Sequence, residues 1–353
     1  MPTEEQIHAA LRQVKYPGFS RDIVSFGLVR SVRVEDGRVV IQLELSTRKP
    51  ELVAPLEAEC KSTVGSLPGV QSVQVDVRMP GGGEGAPAGS MPVPRRIPGI
   101  RRIVAVASGK GGVGKSTVSV NLACGLARQN ARVGLLDCDI YGPSIPLMMG
   151  IHQRPSLNEK QQIEPLANYG VKLMSIGFLV DGDAPVIWRG PMIVKTIQQF
   201  LGSVAWGELD YLLIDLPPGT GDAQLTLCQT VPLDGGLVVT TPQEASLGVV
   251  RKGMGMFQKL NVPILGIIEN MSYFTAPDGQ RIEIFGHGGG SQEARRQSVP
   301  FLGEIPIFTE IRIGGDRGTP VVVDAPQSAP AQAFLQIVER MKQAMPAASP
   351  QPL

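Results

Sequence analysis

Gly109-Lys110-Gly111-Gly112-Val113-Gly114-Lys115-Ser116-Thr117 is the stretch that decides the fold. It follows an apolar, β-favouring run, Ile103–Ala107, and opens a helical pattern. Glycines let the backbone N–H groups turn inward around the β- and γ-phosphates of a nucleotide, and the helix N-terminus adds favourable dipole charge. The spacing G-x-x-x-x-G-K-[ST] between a strand and a helix is that of a phosphate-binding loop. An ordinary glycine-rich strand-to-helix turn is the alternative. In the loop reading Lys115 neutralises the phosphates and Ser116 ligates magnesium, so a nucleotide and Mg²⁺ are the expected cofactors.

Working outward, Leu135-Leu136-Asp137-Cys138-Asp139 ends a second apolar strand and Leu212-Leu213-Ile214-Asp215 a third. Carboxylates beyond the C-terminal ends of strands sit where open α/β sheets bind ligands. Asp215 fits the Walker-B aspartate that holds Mg²⁺ directly or through water. Asp137 and Asp139 read either as nucleotide-site groups or as strand-end turn carboxylates. Pro217-Pro218-Gly219-Thr220-Gly221-Asp222 follows as a loop able to sense the γ-phosphate. Six Val/Ile/Leu-rich strands are expected, at Ile103–Ala107, Val133–Leu136, Val171–Ile176, Tyr211–Ile214, Gly236–Thr240 and Ile264–Ile268, with helices between most of them. The expected class is therefore α/β, a P-loop NTPase with a mostly parallel sheet covered by helices on both faces. A last helix over Ala331–Met345 places Phe334, Val338, Met341 and Met345 on one stripe.

Ahead of the loop, residues 1–78 read as a small α+β domain. Helices are expected over Glu4–Val14 and Leu52–Val64, and strands over Val29–Val34, Val39–Leu45 and Val70–Val77. Residues 79–98 are rich in Gly and Pro without apolar periodicity, and read as a linker. Residues 99–345 form the ATPase domain and 346–353 a disordered tail. The 33 Lys+Arg against 32 Asp+Glu leave no footprint for nucleic acid, and no apolar run reaches the length of a membrane span. The acidic, amphipathic start differs from a signal peptide, and Cys60, Cys124, Cys138 and Cys228 lie too far apart for a disulfide framework. These features point to a cytoplasmic protein acting on neither membrane nor nucleic acid.

Lys110, an extra lysine at the second loop position, resembles the deviant phosphate loop of the partition, septum-site and nitrogenase-iron-protein ATPases. That resemblance implies ATP as the nucleotide and an ATP-dependent homodimer in which Lys110 reaches the partner's nucleotide; a solvated loop lysine is the alternative. Several further segments, Asp139-Ile140-Tyr141-Gly142-Pro143-Ser144-Ile145-Pro146, Trp188-Arg189-Gly190-Pro191-Met192, Asp215–Asp222 and Asn270-Met271-Ser272, resemble the Mrp-type iron–sulfur cluster carrier ATPases over about residues 95–345. Residues 1–78 are similar to the small domain these carriers often bear. The resemblance implies transient holding of a cluster and its transfer to apo-proteins, with cluster-assembly scaffolds as further partners. It also implies that Lys110, Lys115 and Asp139 form the catalytic group, with Asp139 positioning the attacking water, that Asp137 supports the Mg²⁺ shell, and that Asn270 reads adenine. An Asn capping the turn after the strand is the alternative for Asn270.

The chain departs from that family at the cluster. Family members usually carry Cys-x-x-Cys just after Asn-Met-Ser, which gives a dimer four thiolates. Here Ala276 and Gly279 occupy those positions, and Thr47-Arg48-Lys49-Pro50 lacks the small domain's usual cysteine. Among the remaining cysteines Cys228 is the weak candidate for an iron ligand, near a dimer surface or simply packed. Cys124 reads as a core residue, and Cys138 is hemmed between two site aspartates. His287, in Gly286–Ser291, reads as part of a flexible loop before a helix, and Trp188 as a core anchor or a contact. Two rivals remain: a membrane- or DNA-associated positioning or partitioning ATPase, and a small-molecule ligase on the same fold. The near-neutral charge and the Pro-rich end of the chain, rather than a basic amphipathic helix, argue against the first.

Overall fold

The computed structural model describes residues 2–15, 22–24, 28–35, 37–44, 53–78, 96–139, 142–179, 190–219 and 222–346. Most of the expected linker (79–95), segment 47–50, Ile140-Tyr141, Trp188-Arg189, Thr220-Gly221 and the tail 347–353 lie outside those residues. The chain divides into two compact units, residues 1–91 and 92–353.

In the first unit, helix α1 (Glu4–Leu11) starts where the Thr3 hydroxyl accepts the Gln6 N–H and the Gln6 side chain accepts the Thr3 N–H, a reciprocal cap. Strands β1 (Val29–Glu35) and β2 (Arg38–Glu44) form an antiparallel hairpin. Helix α2 (Val53–Gly65) then returns the chain so that β3 (Ser72–Arg78) lies parallel to β2. The core gathers Ile7 and Leu11 from α1, Val39 and Ile41 from β2, and Leu56, Cys60 and Val64 from α2. This is the αββαβ order read from the periodicity.

The second unit runs β4 (Ile103–Ser108), α3 (Lys115–Arg128), β5 (Val133–Asp137), α4 (Ile145–Met148), β6 (Leu166–Asn168), β7 (Val171–Ser175), α5 (Gly190–Ser203), β8 (Tyr211–Asp215), α6 (Asp222–Thr230), β9 (Gly235–Thr240) and α7 (Glu244–Lys259). It continues through β10 (Ile264–Thr275), β11 (Arg281–Ile282), α8 (Gly289–Arg296), β12 (Phe301–Ile307), α9 (Thr309–Arg317), α10 (Val321–Asp324) and α11 (Ala329–Ala344). A parallel sheet has the order β12-β10-β9-β4-β8-β5-β7, with short β6 and β11 joined antiparallel to β7 and β10. Every position of β4, β5 and β9 is buried, so the centre of the sheet is covered on both faces. After β4 the chain builds β5 on one side and later β9 and β10 on the other. The C-terminal end of β4 is thus the point where the strand order reverses, the crevice that open α/β sheets use for ligands.

The structure differs from the sequence reading at the β10 margin. Strand β12 lies beside β10 and gives it a second hydrogen-bonding partner, so β10 continues to Thr275 instead of ending at Ile268. Asn270 therefore lies inside a strand and does not cap a turn after it. The register slips between Asn270 and Phe274, around Met271, whose φ is +55°. The turn into β11 is closed by the Gly279 N–H donating to the Ala276 carbonyl at 2.8 Å, with Gly279 at φ +84°. Among the described residues no helix is long and apolar enough to cross a membrane.

Candidate nucleotide site

The six residues between β4 and α3 wrap into a loop held at both ends. The Ser108 hydroxyl donates to the Lys110 carbonyl at 3.0 Å. Gly109 abuts α7: a Cβ there would stand 2.7 Å from the Val249 carbonyl carbon, so only glycine fits. Residues 110–117, with Asp139 and Pro218, line a cavity of about 210 Å³.

Lys115 opens α3 with its side chain only 5% exposed. Its ammonium donates to Asp215 Oδ2 at 2.5 Å and lies 3.8 Å from Asp139 Oδ2. The Ser116 hydroxyl donates to the same Asp215 oxygen at 2.7 Å, and Ser119, one turn on, donates to Oδ1 at 2.5 Å. Asp215 ends β8 directly beside Asp137, its register partner at the end of β5. Asp137 accepts the Asp139 N–H at 3.0 Å and the Ser175 hydroxyl at 2.9 Å. Burial first, and the neighbouring Asp215 charge second, push the Asp137 carboxyl up to about 7.

That shift has a sign. Between the ordinary carboxylate range and pH 7 the folded chain holds a proton on Asp137 that the unfolded chain has released. Its contribution to stability is complete at low pH and is lost as pH rises towards 7. The limiting slope is about 1.4 kcal/mol per pH unit. In metal-free buffer Asp137→Asn removes this component, so the difference in unfolding free energy between variant and wild type grows from pH 5 to pH 7. Parallel stability profiles from urea unfolding would contradict it.

The remaining residues read from the sequence fall around this centre. The Lys110 ammonium donates to Gln243 Oε1 at 3.2 Å, at the N-cap of α7. Asn270, buried, donates from Nδ2 to the Val113 carbonyl at 2.8 Å and so ties β10 to the loop. It also lines a second cavity of about 500 Å³ that shares Gly114 and Thr117 with the loop. Met148, Met271, Phe285, Phe308 and Ile311 give that cavity a largely apolar wall. Sequence reasoning missed Ser119, Ser175, Gln243 and the wall from β12 to α9. Ser119 was open to detection, since it stands four residues after Lys115 on the same helix face.

All four cysteines are free and buried. Cys228 is 3% exposed in the core on α6, and Cys124 packs its sulfur 3.9 Å from that of Met149. Burial pushes the Cys60, Cys124 and Cys228 thiols up to about 12, and Cys138 well above the usual thiol range. Brief treatment of the native chain with iodoacetamide at pH 8 should therefore leave all four thiols unmodified, against four alkylated after unfolding. Intact-mass measurement counts them, and a fast-reacting thiol in the native chain would contradict the packing.

Residues 99–342 match the family described as "NUBPL iron-transfer P-loop NTPase", and residues 4–77 match the family described as "Iron-sulfur cluster assembly protein". The chain belongs to the Mrp/NUBPL family of iron–sulfur cluster carrier P-loop NTPases. It is 44% identical over 347 residues to the iron–sulfur cluster carrier protein of Synechocystis, covering 97% of each chain. It is also 44% identical over 327 residues to the iron–sulfur cluster carrier protein of Deinococcus radiodurans, covering 92% of this chain and 91% of the relative. A solved nucleotide-binding protein from Archaeoglobus fulgidus, in complex with ADP, is 42% identical with a TM-score of 0.59. It covers 68% of this chain and 94% of its own. Membership of the Mrp/NUBPL family agrees with the resemblance read from the motifs, and its P-loop fold with the expected α/β class.

Proposed function

We propose that this Mrp/NUBPL-family chain is a cytoplasmic, ATP-hydrolysing switch that passes iron–sulfur clusters from assembly scaffolds to apo-proteins as a homodimer. The observation that carries the reading is the convergence of Lys115, Ser116 and Asp215 beside one phosphate-sized loop. The loop N–H groups and Lys115 hold the phosphates, and the apolar cavity beside Asn270 takes the adenine ring. Ser116 and Asp215 offer converging hydroxyl and carboxylate oxygens, the hard donor set that suits Mg²⁺, with Asp137 supporting through the Asp139 backbone. When bound, Mg²⁺ would neutralise charge on the phosphate oxygens. Asp139, at the rim of the loop cavity, orients the attacking water. Phosphates in the loop compete with Asp215 for the Lys115 ammonium, and this exchange links nucleotide to the segments that follow β5 and β8. The iron–sulfur cluster is cargo in this scheme. Ala276 and Gly279 offer it no ligands, and Cys228, on the helix after the β8 loop, is the one thiol we retain as a candidate. Anaerobic loading of wild type and Cys228→Ala with iron and sulfide tests that point: lower iron in the variant supports it, equal iron removes it.

Lys110 gives the dimer its test. In this reading it leaves Gln243 and reaches the partner's phosphates. A slowly hydrolysed ATP analogue with Mg²⁺ should shift the wild type from monomer towards dimer in sedimentation velocity, and should leave Lys110→Ala monomeric. For the transfer activity, cluster delivery to an apo-[4Fe–4S] enzyme should accelerate with Mg-ATP. Transfer at the same rate without nucleotide would sink the switch while leaving the carrier role standing.

A further inference from the structure

Arg281 from β11, Arg295 from the last turn of α8 and Arg340 from α11 line one open cavity of about 540 Å³. None of its lining residues belongs to either nucleotide-site cavity. Among the described residues none of these three arginines is paired with a carboxylate, whereas Arg96, Arg132, Arg251 and Arg312 all are. Each of the three is nevertheless held in place. Arg281 lies 4.1 Å over the centre of the Tyr273 ring, Arg295 donates to the Ser291 hydroxyl at 3.1 Å, and Arg340 donates to the Leu302 carbonyl at 3.0 Å. A guanidinium carries five N–H donors, so each retains several for a ligand. Among the described residues Glu304 is the one carboxylate in the lining, against three guanidinium groups.

Three like charges gathered around one hollow repel one another, and an anion between them relieves that repulsion. Planar guanidinium forks match carboxylate and phosphate oxygens two at a time. The volume falls within the ~300–1,000 Å³ of small-molecule sites, which favours a compact ligand over a protein segment. We propose that this cavity binds a small polyanion, one carrying at least two carboxylate or phosphate groups. The site stands apart from the nucleotide loop and does not depend on the transfer function argued above.

Isothermal titration of the full chain at low ionic strength with citrate and with inorganic pyrophosphate tests this and separates carboxylate from phosphate preference. The expected result is saturable binding of at least one probe at one site per chain, weakening as salt is raised. Arg281→Gln and Arg295→Gln, both on exposed side chains, should each weaken it about tenfold or more. Binding should persist in folded Lys115→Ala and in wild type saturated with ADP. No binding of either probe, or affinity unchanged in both arginine variants, overturns the proposal. So does binding that disappears with Lys115→Ala or with ADP, because the phosphate loop is then the site. Binding of a glutamate-rich peptide with neither small probe bound would also overturn it, in favour of a protein-docking surface.

Discussion

Replacing Lys115 with alanine is expected to weaken ATP binding by about ten- to a hundredfold and to abolish hydrolysis. Among the described residues the ammonium is the one buried cation that reaches both Asp215 and Asp139 at the loop. A hydrogen bond to a charged group contributes about 1.5–3 kcal/mol, and each 1.4 kcal/mol is about tenfold in affinity. The substitution also strands Asp215 beside Asp137, two buried carboxylates on neighbouring strands. Breaking a buried ion pair on one side costs about 3–5 kcal/mol, here moderated by the hydroxyls of Ser116 and Ser119 on Asp215. Thermal unfolding and ATP titration therefore move together in Lys115→Ala. The double variant Lys115→Ala/Asp215→Asn separates them, recovering much of the stability and none of the binding. Wild-type ATP affinity in either variant would remove the loop as the nucleotide site.

Gly114→Ala should be nearly as damaging, for steric and not electrostatic reasons. Gly114 has φ +78°, where an L-residue pays about 1–2 kcal/mol. Its new Cβ would also stand 2.3 Å from Asn270 Nδ2. Asn270 would have to leave the Val113 carbonyl, and losing a buried hydrogen bond costs about 1–3 kcal/mol more. A clear drop in melting temperature together with weaker ATP binding is the expected outcome. Adding Asn270→Ala to Gly114→Ala relieves the clash but not the backbone strain, so it should restore part of the stability only. A Gly114→Ala chain that melts and binds like wild type would mean that the loop relaxes without involving β10.

The contrast between these residues shows what a sequence can and cannot carry. Gly109 to Thr117 are legible because phosphate binding constrains consecutive residues, so the signal sits in one short string. Asp215 is legible as the last residue of an apolar strand. Its side-by-side placement with Asp137 is not, because strand order intervenes: β8 slots between β4 and β5 from far along the chain. Strand β12 is not legible because Phe301-Leu302-Gly303-Glu304-Ile305-Pro306-Ile307 carries Gly and Pro inside a short apolar run, the marks of a turn. Its Pro306 and Ile307, with Phe308 and Ile311 beyond, form the wall of the apolar cavity, so missing the strand also hid half of the proposed base site. In the small unit the one long-range pairing, β2 with β3, spans a single helix, so the succession of apolar patterns already implies the αββαβ order.

The turn at Ala276–Gly279 bears on whether a thiolate pair can be built at this edge of the sheet. Its closing hydrogen bond depends on Gly279 at φ +84°, a conformation that a cysteine adopts only at a cost of about 1–2 kcal/mol. Writing Cys-x-x-Cys into positions 276 and 279 is therefore more than an exchange of side chains. The second thiol would either inherit a strained backbone or unwind the turn and change where both sulfurs point. Engineering a thiolate pair into this scaffold calls for redesign of the whole hairpin from Thr275 to Arg281, with two point substitutions as only its last step.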